Sequence, residues 1–207
     1  MIITLTGFMG CGKSSVGREL SALLCWSYAD LDAVIEERAG RSIPEIFASD
    51  GEAAFRHMEL DSLKHLVSDC ADPMVCRKQS LPSQAMGPSL CGQRGSTVSD
   101  TPPDQHEACN MILSLGGGTV MTPECAEIIH RQTLCIYLKA SVDTLVSRLE
   151  GEAEGRPMLN SDVSLRERIT RLMEQRSATY ESTSHNIIET DGKTIAEIAQ
   201  EIATFVK

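Results

Sequence analysis

Apolar positions along the chain alternate between the rhythm of strands and that of helices. Met1 to Thr6 is a short β-branched run that stops at a glycine-rich turn, and Lys13 to Leu24 then sets Val16, Leu20, Leu23 and Leu24 on one helical face. Trp26 to Asp30 reads as a second strand, ending in the acidic pair Asp30 and Asp32. Ser42 with Glu45 forms a capping box that opens a short helix, and Gly51 precedes a longer helical stretch from Glu52 to Val67. Ile112 to Leu115 is a buried-type strand running into Gly116-Gly117-Gly118. Thr133 to Leu138 is a fourth strand, followed by a helix with Leu145, Val146 and Leu149 inward. Ser164 and Glu167 make a second capping box before a helix reaching about Tyr180. His185 to Glu189 is the fifth strand, and Thr194 with Glu197 starts a closing helix that carries Ile195, Ile198, Ile202 and Phe205. Strands separated by helices at this spacing predict an α/β fold, a five-stranded parallel sheet covered by helices on both faces.

One stretch breaks the pattern. Residues 71–109 hold five of the eight prolines, ten Ser, Thr and Gly residues and no aromatic residue. Such a stretch buries too little apolar surface to offset its ordering entropy, so a mobile, low-complexity insertion is expected within a single domain spanning residues 1–207. With 42% hydrophobic and 23% charged residues the rest has the composition of an ordinary globule, and no run approaches the roughly eighteen apolar residues of a membrane helix. The formal charge of −10 argues against a nucleic-acid partner, so an anionic ligand must be held by a local basic pocket. Eight cysteines without a C-x-x-C pair, and no targeting segment, point to reduced thiols in a cytoplasm and against structural zinc.

Gly7-Phe8-Met9-Gly10-Cys11-Gly12-Lys13-Ser14 fits G-x-x-x-x-G-K-[ST] between a predicted strand and a predicted helix. In that context the backbone N–H groups of Gly10, Cys11, Gly12, Lys13, Ser14 and Ser15 converge on nucleotide phosphates, Lys13 reaches the outer phosphates, and the Ser14 hydroxyl can ligate Mg²⁺. Asp30 and Asp32 stand where a second acid is needed, at a strand's carboxyl end, with an Asp-rich turn capping the next helix as the alternative. Cys11, beside Lys13 at a helix N-terminus, is expected to be a reactive thiol whose alkylation inactivates.

Gly7 to Gly17, Asp30-Leu31-Asp32, Gly40-Arg41-Ser42-Ile43, Gly51-Glu52 with Phe55-Arg56 and Glu59, Gly116-Gly117-Gly118, Arg156-Pro157-Met158-Leu159, and Arg176 with Tyr180 together resemble the shikimate kinase family. The resemblance covers residues 1–70 and 110–207. It implies a three-layer P-loop sandwich with a mobile lid, and transfer of the ATP γ-phosphoryl group to the 3-hydroxyl of shikimate by a monomer that uses Mg²⁺. By that resemblance Lys13, Asp32 and Arg156 are the catalytic set, with Asp32 holding substrate hydroxyls and taking the proton. Arg56 and Arg176, with the backbone of Gly116, Gly117 and Gly118, hold the carboxylate, and Glu59 orients Arg56. Ser14 binds the metal directly and Asp30 in an outer shell, while Arg148 and the loop near Lys193 flank the adenine.

Independently of any family, two arginines suit a planar carboxylate, although Glu52 and Glu59 at helical spacing also make Arg56 a candidate for plain surface pairing. Gly151 to Gly155, short of apolar anchors, reads as a lid that closes with Arg156. The insertion and the acidic loop from Thr190 to Thr194 depart from the family pattern. A gluconate-type kinase is the enzyme alternative, and a non-catalytic nucleotide-binding regulator the alternative of another class.

Overall fold

Ile2–Thr6 is buried at every position, and as β1 it forms the middle of a five-stranded sheet. The computed structural model describes residues 1–71, 110–150 and 164–206. The other strands are β2 (Ser27–Asp30), β3 (Met111–Ser114), β4 (Leu134–Lys139) and β5 (Asn186–Glu189), in the order β2-β3-β1-β4-β5. Every pairing is parallel, with Ile2 opposite Met111, Ile3 opposite Leu134, Ser27 opposite Met111 and Ile136 opposite Asn186. A parallel sheet needs cover on both faces, which is why the three inner strands β1, β3 and β4 are buried almost throughout, while the edge strands β2 and β5 are only partly buried.

Eight α-helices lie among the described residues: α1 (Lys13–Leu24), α2 (Leu31–Ala39), α3 (Ile43–Ser49), α4 (Gly51–Ala71), α5 (Pro123–Gln132), α6 (Val142–Glu150), α7 (Leu165–Thr183) and α8 (Ile195–Ala203). On one face Ile3, Leu5, Ile112, Ile136 and Leu138 pack with Val16 and Leu20 of α1, Leu145 and Leu149 of α6, and Ile198 and Ile202 of α8. On the other, Ile2, Leu113, Cys135 and Tyr137 pack with Leu31 and Ile35 of α2, Phe55 and Leu63 of α4, Ile129 of α5 and Tyr180 of α7. The result is the expected three-layer α/β sandwich.

Three details differ from the pattern reading. Leu23, Ile195 and Phe205 point outward, each more than two-fifths exposed, because the helical faces that reach the sheet are narrower than the apolar stripes. α5 fills a stretch to which the hydrophobic pattern assigns no element. α4 continues beyond Val67 to Ala71, and α7 beyond Tyr180 to Thr183.

The insertion and the lid with Arg156 lie outside the described residues. The described chain resumes at the amino edge of the sheet. There the Met1 ammonium donates to Asn110 Oδ1 at 2.9 Å, Ser27 N–H donates to the Asn110 carbonyl, and Met111 N–H to the Met1 carbonyl.

Candidate functional site

The carboxyl ends of β1, β2 and β3 converge on two adjoining cavities of about 680 and 590 Å³. Met9, Asp32, Gly116 and Gly117 line both, so the two cavities meet at the Asp32 carboxylate. Crevices of this kind collect at the carboxyl edge of a parallel sheet, where successive loops diverge to opposite faces.

The first cavity is built on the loop between β1 and α1. Gly10 and Gly12 hold left-handed backbone, φ +80° and +98°, which lets the loop wrap and start α1 at Lys13. Lys13 Nζ donates to the Gly7 and Phe8 carbonyls, both at 3.0 Å. Arg148 of α6 donates to the Gly10 carbonyl at 3.3 Å and so lies against the loop. Lys193 also lines this cavity, with its ammonium 2.6 Å from Glu201 Oε2.

Cys11 does not fit the expectation of a reactive thiol. Its side chain is 1% exposed and packs with the core beneath the loop, where a Cβ on Gly7 would come 2.9 Å from its sulfur. The thiol lies beneath the loop, with Lys13 Nζ donating to its sulfur at 4.0 Å, and burial limits its access to solvent.

Asp30 both caps a helix and reaches the phosphate loop. Its Oδ1 accepts from Asp32 N–H at 3.1 Å and caps α2, while its Oδ2 accepts from Ser14 Oγ at 3.0 Å and from Tyr28 OH at 3.2 Å. Ser14 and Asp30 together form a hard, all-oxygen donor set at the foot of the phosphate loop, which suits Mg²⁺. Asp32, in the first turn of α2, stands nearby. Burial, then the negative charges of Asp30 and Glu59, push its carboxyl up to about 6, against the opposing pull of Lys13.

The second cavity joins α3, α4, the turn after β3, and α7. Phe47 and Phe55, ring centroids 4.8 Å apart, form its apolar wall, and Arg56 and Arg176 are its cations. Arg56 Nη1 donates to Glu59 Oε2 at 2.8 Å and its Nη2 to Glu52 Oε1 at 3.2 Å, so the helical pairing expected of a surface arginine coexists with a place in the cavity. Glu59 is buried, and its other oxygen accepts from the Thr119 hydroxyl. Tyr180 OH donates to the Gly117 carbonyl. Burial raises the Tyr180 phenol well above its ordinary value, keeping it a donor.

The glycine turn is shaped by its neighbours. A Cβ on Gly116 would lie 2.8 Å from Asp32 Oδ1, and one on Gly118 2.8 Å from Arg56 Nη2, so a side chain at either of these two positions would displace one of these groups. Of the sequence candidates, the fold gathers Gly10, Cys11, Gly12, Lys13, Ser14, Ser15, Asp30, Asp32, Gly116, Gly117 and Arg148 around the first cavity. Arg56, Gly118 and Arg176 join Asp32, Gly116 and Gly117 around the second. Thr119 was not among the sequence candidates, and its only sequence signal is adjacency to the glycine run.

A family model described as shikimate kinase matches residues 9–76 and 103–207. A shikimate kinase of Thermus thermophilus is 36% identical over 200 residues, covering 97% of this chain and 86% of the relative. One from Geobacter sulfurreducens is 34% identical over 205 residues, covering 99% and 90%. Among solved structures, shikimate kinase from Acinetobacter baumannii in complex with shikimate superposes with a TM-score of 0.75 at 25% identity, covering 99% of this chain and 92% of that one.

Proposed function

The chain belongs to the shikimate kinase family, and from that membership we propose the path of its reaction: the γ-phosphoryl group of ATP passes to the 3-hydroxyl of shikimate, yielding shikimate 3-phosphate and ADP. The observation that carries this reading is the shared position of Asp32, which lines both the phosphate-loop cavity and the cavity of the two arginines. A group there can meet an acceptor hydroxyl held on one side and a phosphoryl donor held on the other.

Arg56 and Arg176 are proposed to grip the substrate carboxylate, each offering a planar fork of donors, while the phenylalanine wall packs the ring. Asp32 then faces the acceptor hydroxyl. As the hydroxyl oxygen bonds to the γ-phosphorus, the bond from that phosphorus to the β,γ-bridging oxygen breaks and its electron pair leaves with ADP. The hydroxyl proton passes to Asp32, whose raised pKa suits a base working near neutrality. Lys13 and the loop N–H groups, with Arg148 beside them, offset charge on the phosphates. Ser14 would ligate Mg²⁺ directly, with Asp30 behind it, and the ion would neutralise phosphate charge there. Arg156 is proposed to close over the phosphates with the lid.

The chain is further proposed to act as a cytoplasmic monomer. Both cavities are built from one chain, and among the described residues Cys11, Cys25, Cys125 and Cys135 are free thiols, which supports a reducing compartment. Residues 1–207 are proposed as one domain, with the insertion at about 71–109 entering at the sheet's amino edge. Among the described residues no helix is long and apolar enough to cross a membrane.

Coupled ADP release, measured with Mg²⁺ and ATP in the presence of shikimate, of gluconate, or of no acceptor, tests the reading. Release that requires shikimate is expected; equal release with gluconate or without an acceptor overturns it.

A further inference from the structure

Thr119 follows the glycine turn and is fully buried. Its hydroxyl donates to Glu59 Oε1, while Glu59 Oε2 accepts from Arg56 Nη1 at 2.8 Å. The Glu59 side chain is 1% exposed, so neither oxygen can exchange its partner for bulk water. Glu59 and Arg56 share one face of α4 at a separation of three residues, which brings them together but leaves the carboxylate plane free to rotate. The hydroxyl, arriving from a segment 60 residues away, fixes that plane. Without it, a buried oxygen loses its donor, and the carboxyl group turns to find another. Arg56 would then be left to Glu52, whose side chain is 69% exposed and holds a guanidinium loosely.

We propose that Thr119 is a positioning residue for the second cavity: by fixing Glu59, it aims the Arg56 guanidinium at the substrate carboxylate. The inference rests on the shikimate reading given above. A purely structural role predicts something else. Thr119 also opens the short 3-10 turn Thr119–Met121, with its N–H donating to the Gly116 carbonyl at 3.2 Å. Loosening that turn would disturb both cavities, because Gly116 and Gly117 line both. A fault in aim alone affects the second.

The test compares Thr119→Val, Thr119→Ser and Thr119→Ala with the parent in kcat, shikimate KM, ATP KM and Tm. Thr119→Val is expected to raise the shikimate KM about tenfold, the scale of one hydrogen bond to a charged group. Its kcat and ATP KM should stay within about twofold, and Thr119→Ser should restore the shikimate KM to within about twofold of the parent. In a Glu59→Gln background, Thr119→Val should add less than about twofold, since both changes break the same chain. Should Thr119→Val fail to fold, Thr119→Ala removes the same hydroxyl with less crowding. An unchanged shikimate KM in a folded Val or Ala variant, an equal rise in the ATP KM, or a Ser variant that behaves like Val overturns the inference. A parent without shikimate-dependent ADP release overturns the functional reading and this inference with it, whereas an active parent with an indifferent Thr119→Val rejects this inference alone.

Discussion

Gly118 leaves no room beside Arg56: a methyl group built on its Cα would stand 2.8 Å from Nη2 and 2.9 Å from Nη1 of the guanidinium. The backbone at Gly118, φ −110° and ψ −7°, is one any residue adopts, so what is required there is space and not conformational freedom. Gly118→Ala is therefore expected to fold normally and to push the guanidinium aside. Steady-state kinetics with each substrate varied in turn should show the shikimate KM raised roughly tenfold and the ATP KM unchanged, as a small misplacement of a binding group produces. An effect on the ATP KM alone would move Arg56 to the wrong subsite.

Lys13→Met removes the charge at the phosphate loop while keeping the length of the side chain. The expected result is a loss of turnover on the order of 10²-fold or more, measured as shikimate-dependent ADP release, with the melting temperature close to the parent's. Retention of a tenth of the activity would contradict the proposed role of Lys13.

The Asp32 carboxyl, raised to about 6 in the folded chain against 3.8 for the free group, sets two pH effects of known sign. As the proposed base it must be ionised, so kcat/KM should fall as pH drops through about 6. For stability the direction reverses. The folded state binds the Asp32 proton more tightly than the unfolded state, so this contribution is fully present below pH 3.8 and is lost as pH rises through about 6. At neutral pH the charged form is a burden, and Asp32→Asn should lower kcat strongly while raising stability by about 2 kcal/mol, after allowing for partial exposure. Thermal unfolding at pH 7 and at pH 4 checks this, since the gain should shrink at the lower pH.

Among the described cysteines, Cys25 is exposed and Cys11, Cys125 and Cys135 are buried. Burial also pushes the Cys125 and Cys135 thiols up to about 12. Brief alkylation followed by mass spectrometry is expected to label Cys25 on the order of tenfold faster than Cys11 and to leave activity intact. Inactivation that tracks labelling at Cys11 would restore the reading of that thiol as reactive.

Replacing residues 73–108 by a short Gly/Ser linker should leave kcat and both KM values within about threefold of the parent, a margin below about 1 kcal/mol. The described chain leaves α4 at Ala71 and returns at Asn110 beside Met1, on the edge of the sheet opposite the cavities. Loop closure entropy grows only logarithmically with length, so stability should change little as well. A larger catalytic loss in a folded variant would place part of the insertion at the substrate side.

The strands and the phosphate loop were legible in the sequence because each is specified locally. A strand buried on both faces is a continuous apolar run, and the capping boxes of Ser42 with Glu45 and Thr194 with Glu197 both form as read. α5 was not legible: Cys125 and Ile129 are its only fully buried residues, too few to show a period, although Pro123 at its start is a helix signal. The inward turn of Cys11 depends on the left-handed glycines around it, and the sequence specifies the loop but not the direction of that one side chain. Asp30 and Asp32 could be identified as a pair from sequence, but only the folded chain separates the cap from the acid that joins two cavities. Thr119 meets Glu59 across 60 residues of chain, a contact with no local trace.

The strand order β2-β3-β1-β4-β5 also has a consequence for the chain as it is synthesised. β1 leaves the ribosome well before its two partners, β3 and β4, which begin only at Met111 and Leu134. At roughly 5–20 residues per second, the apolar Ile2–Thr6 segment waits several seconds with neither hydrogen-bonding edge satisfied, and the long insertion lengthens that wait. The central strand of the finished enzyme is thus an exposed segment of the nascent one. Early binding of Ile2–Thr6 by a holdase chaperone, released once Leu134–Lys139 has emerged, is the protection such a topology calls for.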